Sequence, residues 1–293
     1  MKWTWSFLFS LLLNTLCFSD EFSRIPVRSF PFLSKQKFIE IQIEGKNYLG
    51  LIDTGSAFSL LRKDVLAKLS KKTYLSDSEY IGINGNHYIT PNFAIPKLKM
   101  GNFFTETVLK EEDANFWTDG CSIGKPSLIQ LWKIHLMYQV FREALIGIDI
   151  FQKFACIFDF PHASIFLASG MSDLIDDIHF HKNAFTILPF EMGKAGVILT
   201  LKTNLGNKRL LLDSAATASF IRLSEEEKKI IYTVSQSRDL FLTTELAANG
   251  CDFGCWKFKI IDIANDINDL DGILGIDFFQ KTIIGLDFDH QLT

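Results

Sequence analysis

Asp53 closes the run Leu51-Ile-Asp-Thr-Gly-Ser56, and Asp213 closes Leu211-Leu-Asp-Ser-Ala-Ala216, 160 residues later. A carboxylate at the end of an apolar run, found twice in one chain, suggests a pair that works together. Two carboxylates held close cannot both ionise, so they share one proton. The ionised member takes a proton from water, and the protonated member donates to a carbonyl oxygen. That is hydrolysis of an amide without a metal or a covalent intermediate. The pair titrates as a unit.

The elements that would position this pair are duplicated too. Gly45-Lys-Asn-Tyr-Leu-Gly-Leu-Ile-Asp53 matches Leu205-Gly-Asn-Lys-Arg-Leu-Leu-Leu-Asp213 in pattern, and Pro31-Phe32 has a counterpart in Pro189-Phe190. Leu145-Ile-Gly-Ile-Asp-Ile-Phe-Gln-Lys153 recurs as Ile273-Leu-Gly-Ile-Asp-Phe-Phe-Gln-Lys281 at an offset of 128. Repeated blocks in one order read as two homologous lobes. The falling offset gives the first lobe 32 more residues (160 − 128), expected as an insertion near 110–140. The expected division is an N-terminal lobe at 20–168, a plain linker at 169–185 and a C-terminal lobe at 186–293.

Most of the chain reads as strand. Phe38-Ile-Glu-Ile-Gln-Ile-Glu44 alternates with period two, and a turn and second apolar run lead to Asp53. Val197 to Asp213 repeats that hairpin. Ser224-Glu-Glu-Glu227 is a capping box opening a helix over 225–235, and 62–71 is the matching helical stretch. Residues 126–141 remain open between helix and strand. The fold class expected is mainly β, with a few short helices. Asp149 and Asp277 are expected to cap the short helices after the Gly blocks, and Asp159 and Asp287 to serve turns.

Residues 1–19 carry Lys2 as their single charge, then an apolar stretch, with Cys17 and Ser19 before Asp20. This is the layout of a Sec-type signal peptide, so export to a periplasmic, extracellular or lumenal space is expected. An uncleaved anchor is the alternative, although the run is short and broken by Ser10 and Asn14. No later stretch is long enough to span a membrane, so no stable insertion is expected. An oxidising destination would permit a disulfide between Cys251 and Cys255 at a hairpin tip. Cys156 reads as a small buried hydrophobe.

With 30 basic and 34 acidic residues and a net charge of −4, the chain lacks the basic excess of a nucleic-acid binder. At 47% hydrophobic it is too apolar for a disordered protein. No phosphate-binding Gly loop or Gly-x-Ser-x-Gly nucleophile signature is present. His179 and His181 beside Asp176 and Asp177 read as solvated linker residues, so no metal site and no cofactor are expected.

The apolar-apolar-Asp-Thr-Gly-Ser run, followed about ninety residues on by the apolar-apolar-Gly block and repeated, resembles the aspartic peptidases. The two-lobed plan is similar to that of pepsins. The lobe sizes and the Ile-Gly-Ile-Asp-x-Phe block look more like the retropepsin-like branch, duplicated within one chain. The resemblance covers nearly all of residues 30–290. It implies an acid-protease fold, an endopeptidase with Asp53 and Asp213 as catalytic dyad, and a peptide or protein substrate. It implies that Thr54 and Ser214 tie the two loops together, that Gly55 and Ala215 offer supporting N–H groups, and that Ile146-Gly147 and Leu274-Gly275 pack behind them. It also implies a flap, for which Ile81-Gly-Ile-Asn-Gly-Asn-His-Tyr88 is the candidate. Gly82 and Gly85 would form its turn, with Tyr88 or Tyr80 touching substrate. Ala247 to Cys255 would be the matching hairpin.

Two residues depart from the pattern. Ala215 stands where the family usually has Gly, and a positive φ there would be costly. Ala216 lacks the hydroxyl of Ser56, so the dyad is expected to be less acidic and to work nearer neutral pH than pepsin. With both Asp residues in one chain a monomer is expected, and pairing of two Asp53 lobes across a homodimer is a further option. The alternative function is a peptide- or protein-binding module that kept the fold and lost turnover.

Overall fold

The computed structural model describes residues 22–30, 35–81, 87–112, 142–177, 185–234, 241–261 and 270–293. The expected signal segment, Gly82, Gly85, Cys121, His179, His181 and most of the expected insertion lie outside them.

The chain is mainly β, with two lobes and a few short helices. The first part runs through β1 (Phe22–Pro26), β2 (Arg28–Ser29), β3 (Lys37–Ile43), β4 (Lys46–Ile52), β5 (Ser59–Leu61), α1 (Lys63–Ala67), β6 (Thr73–Ile81), β7 (His87–Met100), β8 (Phe103–Glu111), β9 (Ala144–Ile146), α2 (Ile148–Phe151), β10 (Ala155–Asp159), β11 (Ser164–Ala168) and α3 (Met171–Asp177). The second runs through β12 (Phe190–Met192), β13 (Val197–Thr203), β14 (Gly206–Leu212), β15 (Phe220–Ile221), α4 (Glu225–Val234), β16 (Phe241–Ala248), β17 (Cys251–Ile260), β18 (Gly272–Leu274), α5 (Ile276–Phe279) and β19 (Ile284–Leu286).

Each lobe is a six-stranded barrel with the same strand order. In the first the order is β3-β4-β9-β5-β8-β7, closed by β3 on β7. In the second it is β13-β14-β18-β15-β17-β16, closed by β13 on β16. Closure removes the sheet edges that a half-buried sheet would expose. Period-two burial fixes the register: in β3, Phe38, Ile39, Ile41 and Ile43 are buried and Glu40 is exposed. The β3–β4 turn places Glu44 and Gly45 at φ 51° and 75°, the backbone that a two-residue hairpin turn demands.

A third sheet, β1-β11-β10-β19, joins the halves, because β10 of the first part pairs with β19 of the second. Every residue of β10 and β11 is buried. One face meets the main core. There Phe158 packs on Phe151 and Phe279 at centroid distances of 5.1 and 6.1 Å, and Phe160 stacks on Phe279 at 5.4 Å. Phe151 and Phe279 are themselves repeat-related, so the abundant Phe residues form the seam. The other face is covered by Leu174 and Met171 of α3. The stretch expected as plain linker thus contributes a packed helix, because the joining sheet needs a second cover.

The matched register locates the extra length of the first lobe. Ser59 and Ser219 are 160 apart, and Lys110 and Lys259 occupy equivalent places 149 apart. Ala144 and Gly272 are 128 apart. So 11 of the 32 extra residues lie before Lys110, in the hairpin that adds β6 to the barrel. The remainder lies between β8 and β9.

The Ala247–Cys255 hairpin forms, turning at Asn249 and Gly250 with φ 46° and 79°. It corresponds to β7–β8, not to the flap. Lys202 on β13 pairs with Ala247 as Gln42 on β3 pairs with Lys99, at the barrel ends remote from the Asp residues. The expected Cys251–Cys255 bridge is absent: both thiols are free. The two lie on one strand, four residues and roughly 13 Å apart when extended, beyond a disulfide's span of about 4.4–6.8 Å. Cys156 is buried, its Sγ 3.3 Å from the Phe151 carbonyl.

The Gly blocks behind the Asp loops set a tight steric constraint. A Cβ on Gly275 would lie 2.3 Å from the Ala218 carbonyl oxygen, whereas one on Gly285 meets nothing closer than Met171 Cε at 3.6 Å. Gly275→Ala should therefore lower stability by about 1–3 kcal/mol, read as a lower urea midpoint. Gly285→Ala should stay within about 0.5 kcal/mol of wild type.

Candidate active site

β4 ends at Ile52 and β14 at Leu212, so each Asp begins the loop after a central strand. A parallel neighbour holds each loop from behind. The Asp53 N–H donates to the Ile146 carbonyl at 2.9 Å, and the Asp213 N–H to the Leu274 carbonyl at 3.0 Å. The returning chain is held as well: the Ile148 and Ile276 N–H groups donate to the Ser56 and Ala216 carbonyls. Gly147 and Gly275 have no room for a side chain there, since a Cβ would lie within 3.0 Å of the Ser56 or Ala216 carbonyl oxygen.

The two loops are locked together by the residue after each Asp. The Thr54 N–H donates to Ser214 Oγ at 3.1 Å, and Thr54 Oγ1 donates to the Leu212 carbonyl at 2.8 Å. Reciprocally, the Ser214 N–H donates to Thr54 Oγ1 at 3.0 Å, and Ser214 Oγ donates to the Ile52 carbonyl at 2.9 Å. Both side chains are wholly buried. These four bonds across the seam bring Asp53 and Asp213 together. Gly55 makes the approach feasible: a Cβ on it would lie 2.5 Å from Asp213 Cγ.

The carboxyl surroundings differ. Asp53 Oδ1 accepts the Gly55 N–H at 3.1 Å. Asp213 Oδ1 accepts two N–H groups, from Ala215 and Ala216, each at 2.9 Å. Burial first, then the Asp213 charge, holds Asp53 well above the usual carboxylate range, against the pull of the Gly55 N–H and the Arg142 charge. Burial also raises Asp213, while its two N–H donors and a hydrogen bond from the Asp53 carboxyl draw it back. The two carboxyls are coupled and titrate as one pair, with more N–H donors on the Asp213 side. Both residues keep partial solvent exposure, so water can reach them.

Two expectations about the departures change. Ala215 does not take a positive φ, and its methyl packs beside Phe38 and Leu51. The Ser56 hydroxyl donates to the Phe58 carbonyl at 2.7 Å, so Ala216 costs the dyad no equivalent donor. The half-site with two alanines is in fact the one with more N–H donors.

The segment expected as a flap lies between β6 and β7, which pair antiparallel with Ile81 opposite His87 at their described end. Tyr80 and Tyr88 are cross-strand partners with rings stacked at 5.2 Å, both buried. Tyr80 also meets Phe58, in the loop after Asp53, at 4.8 Å. Tyr88 and Tyr80, one or other expected to touch substrate, are packed against each other one pair from the described end of the hairpin.

Asp149 and Asp277 do not cap their helices, whose N-cap positions are Gly147 and Gly275. Ser59 Oγ accepts the Gly147 N–H at 2.9 Å and donates to Asp149 at 2.7 Å. Ser219 Oγ accepts the Gly275 N–H at 3.0 Å and donates to Asp277 at 2.8 Å. Burial raises the Asp149 carboxyl. These serines were missed, although they sit at the same offset as the Asp residues. Asp159 and Asp287 serve turns as expected, each bonding the N–H and Nδ1 of a His three residues on, His162 and His290. Among the described residues no group of three His, Cys, Asp or Glu side chains could hold a metal.

Two measurements test this geometry. Thr54→Val and Ser214→Ala each leave a buried N–H and a buried carbonyl unpaired, so each should cost about 2 kcal/mol. The double variant should depart from additivity by at least about 0.5 kcal/mol. Losses under about 0.5 kcal/mol would remove the lock from its place in the fold. For Asp53, a folded pKa above the unfolded one gives stability that is full below the ordinary carboxylate pKa and lost as pH rises through the raised value. Asp53→Asn should therefore raise the neutral-pH melting temperature by about 2–4 °C, as about 1 kcal/mol would, and the gain should vanish at acid pH. The chain matches no protein-family model and no curated protein, and the case for its chemistry rests on this geometry.

Proposed function

We propose that this chain is a single-chain aspartic endopeptidase. The observation that carries the reading is the pair of Asp53 and Asp213, drawn together by the reciprocal Thr54–Ser214 bonds, with burial raising both carboxyls so that the two can share one proton. A water between them loses a proton to Asp213 and attacks the peptide carbonyl carbon, while Asp53 gives its proton to the carbonyl oxygen. In the resulting gem-diol, one hydroxyl returns its proton to Asp53 and the C–O double bond reforms. Asp213 passes its proton to the amide nitrogen as the C–N bond breaks, leaving a carboxylic acid and an amine. No metal or cofactor enters the cycle.

The substrate is an extended peptide segment bound beneath the β6–β7 hairpin, by strand-like hydrogen bonds. Both carboxyls come from one chain, so a monomer suffices. Residues 1–19 support export through a Sec-type signal. No helix of the described residues is long and apolar enough to cross a membrane.

Activity requires one proton on the dyad. The acid limb falls where Asp213 gains a proton and the alkaline limb where Asp53 loses its own. Burial moves both upward, so the optimum should lie above about pH 4. The test is cleavage of a peptide library from pH 3 to 8 by the chain lacking residues 1–19. Asp53→Ala and Asp213→Ala should each lose at least about a thousandfold in rate. Retained cleavage in either variant would exclude the shared dyad. A folded wild type that cleaves nothing would favour the binding-module alternative.

A further inference from the structure

Gln36 lies in the first lobe just before β3, and it is buried. Its Nε2 donates to the Ala215 carbonyl of the second lobe at 2.6 Å. That carbonyl belongs to the same peptide plane as the Ala216 N–H, which donates to Asp213 Oδ1 at 2.9 Å. In a trans peptide the C=O and N–H point in opposite directions. Holding the oxygen therefore aims the hydrogen. Gln36 fixes one end of a rigid unit whose other end holds a dyad carboxylate.

The repeat shows what happens without this contact. Strands β3 and β13 correspond at an offset of 160, which places Gly196 where Gln36 stands. Gly196 has no side chain, and a Cβ on it would lie 2.4 Å from the Thr54 carbonyl oxygen. In the equivalent peptide, 55–56, the Ser56 N–H donates to the Asp53 backbone carbonyl at 3.2 Å, as the Ala216 N–H does to that of Asp213 at 3.3 Å, but only the Ala216 N–H also reaches its carboxylate. The carboxylate bond there is the Gly55 N–H to Asp53 Oδ1. The side with a glutamine presents two N–H donors to its carboxylate, and the side with a glycine presents one.

We propose that Gln36 is a positioning residue that breaks the symmetry of the dyad: through the 215–216 peptide it makes Asp213 the water-activating base and leaves the proton on Asp53. The roles are then assigned by a residue of the opposite lobe. This rests on the endopeptidase reading for its consequence in catalysis, but the positioning itself does not. Gln36 carries no charge, so its influence is the orientation of a dipole. The charges acting on the pair are the two carboxyls on each other and Arg142 on Asp53.

Gln36→Leu removes the donor at similar size, and Gln36→Glu makes it depend on pH. With Gln36→Leu, kcat should fall about tenfold with KM within twofold. That is the size expected for weakening one hydrogen bond to a charged group. The acid limb of kcat/KM should move up by at least about half a pH unit. Gln36→Glu should approach wild type at acid pH, where its carboxyl is protonated and can donate, and fall below it as pH rises. Should Gln36→Leu fail to fold, the pH-dependent ratio of Gln36→Glu to wild type carries the same test. Carboxyl NMR titration of Asp213 in both variants reads the positioning without any substrate. A wild type that cleaves nothing, with the Asp213 titration still displaced in Gln36→Leu, would overturn the peptidase reading and uphold the positioning. A cleaving wild type whose acid limb and Asp213 titration are unchanged in folded Gln36→Leu, or matched at every pH by Gln36→Glu, would overturn the positioning alone.

Discussion

Two carboxyl groups meet at the seam between the lobes, and most of the nearby structure exists to make that tolerable. Like charges a few ångströms apart repel strongly where little water screens them. Sharing one proton turns the repulsion into a hydrogen bond, but only if the groups are held at the right separation. The Thr54 and Ser214 hydroxyls do the holding, each serving as donor to a carbonyl and acceptor from an N–H of the opposite loop. Behind them, the Ile146 and Leu274 carbonyls take the Asp N–H groups. Further back, Ser59 and Ser219 link the Gly147 and Gly275 N–H groups to half-buried Asp149 and Asp277. Each shell leaves the one in front of it fewer ways to move. The joining sheet and its Phe cluster keep the lobes from separating.

Duplication supplied two copies of every part, but the copies are not equal. Gly55 lies beneath Asp213, so its missing side chain is required. Ala215 packs against Phe38 and Leu51. A methyl group is therefore tolerable on one side of the pseudo-symmetric pair and excluded on the other. The buried Arg142–Glu112 ion pair of the first lobe is matched in the second by Leu270 and Ile261, which are buried without charge. The electrostatic difference between the two carboxyls is thus built from several unequal pairs.

Much of this was legible in the sequence, because hairpins and period-two burial are local. The strands leading to Asp53 and Asp213, the Gly blocks and the Ser224–Glu227 capping box, with its two bonds at 2.8 and 3.2 Å, follow from short spacings. What failed depended on strand order. The Asn249-Gly250 turn reads as a hairpin from its residues alone. That it answers to β7–β8 and not to the flap follows from its pairing with β13, 45 residues earlier at Lys202 and Ala247. The Cys251–Cys255 spacing suggested a bridge because the path of the chain between them was unknown. An extended strand carries the two thiols apart. Ser59 and Ser219 could have been found by following the repeat past the motif, since both lie six residues after an Asp.

The Ala215 departure shows why a missing glycine need not mean a broken site. In a tight loop glycine serves one of two needs, a positive φ or room for a neighbour. Position 215 has neither: its φ is not positive, and its methyl faces an apolar wall. What the loop does require there is an N–H aimed at Asp213 and a carbonyl free to accept from Gln36, and any residue with an ordinary backbone supplies both. Position 55 needs room for the facing carboxyl. The same motif position thus carries different physical demands in the two lobes, and only the demand for space forbids a side chain. Gly55 and Ala215 therefore meet unlike demands from one place in the repeat: the first leaves room for the facing carboxyl, and the second needs only a backbone that offers its N–H to Asp213 and its carbonyl to Gln36.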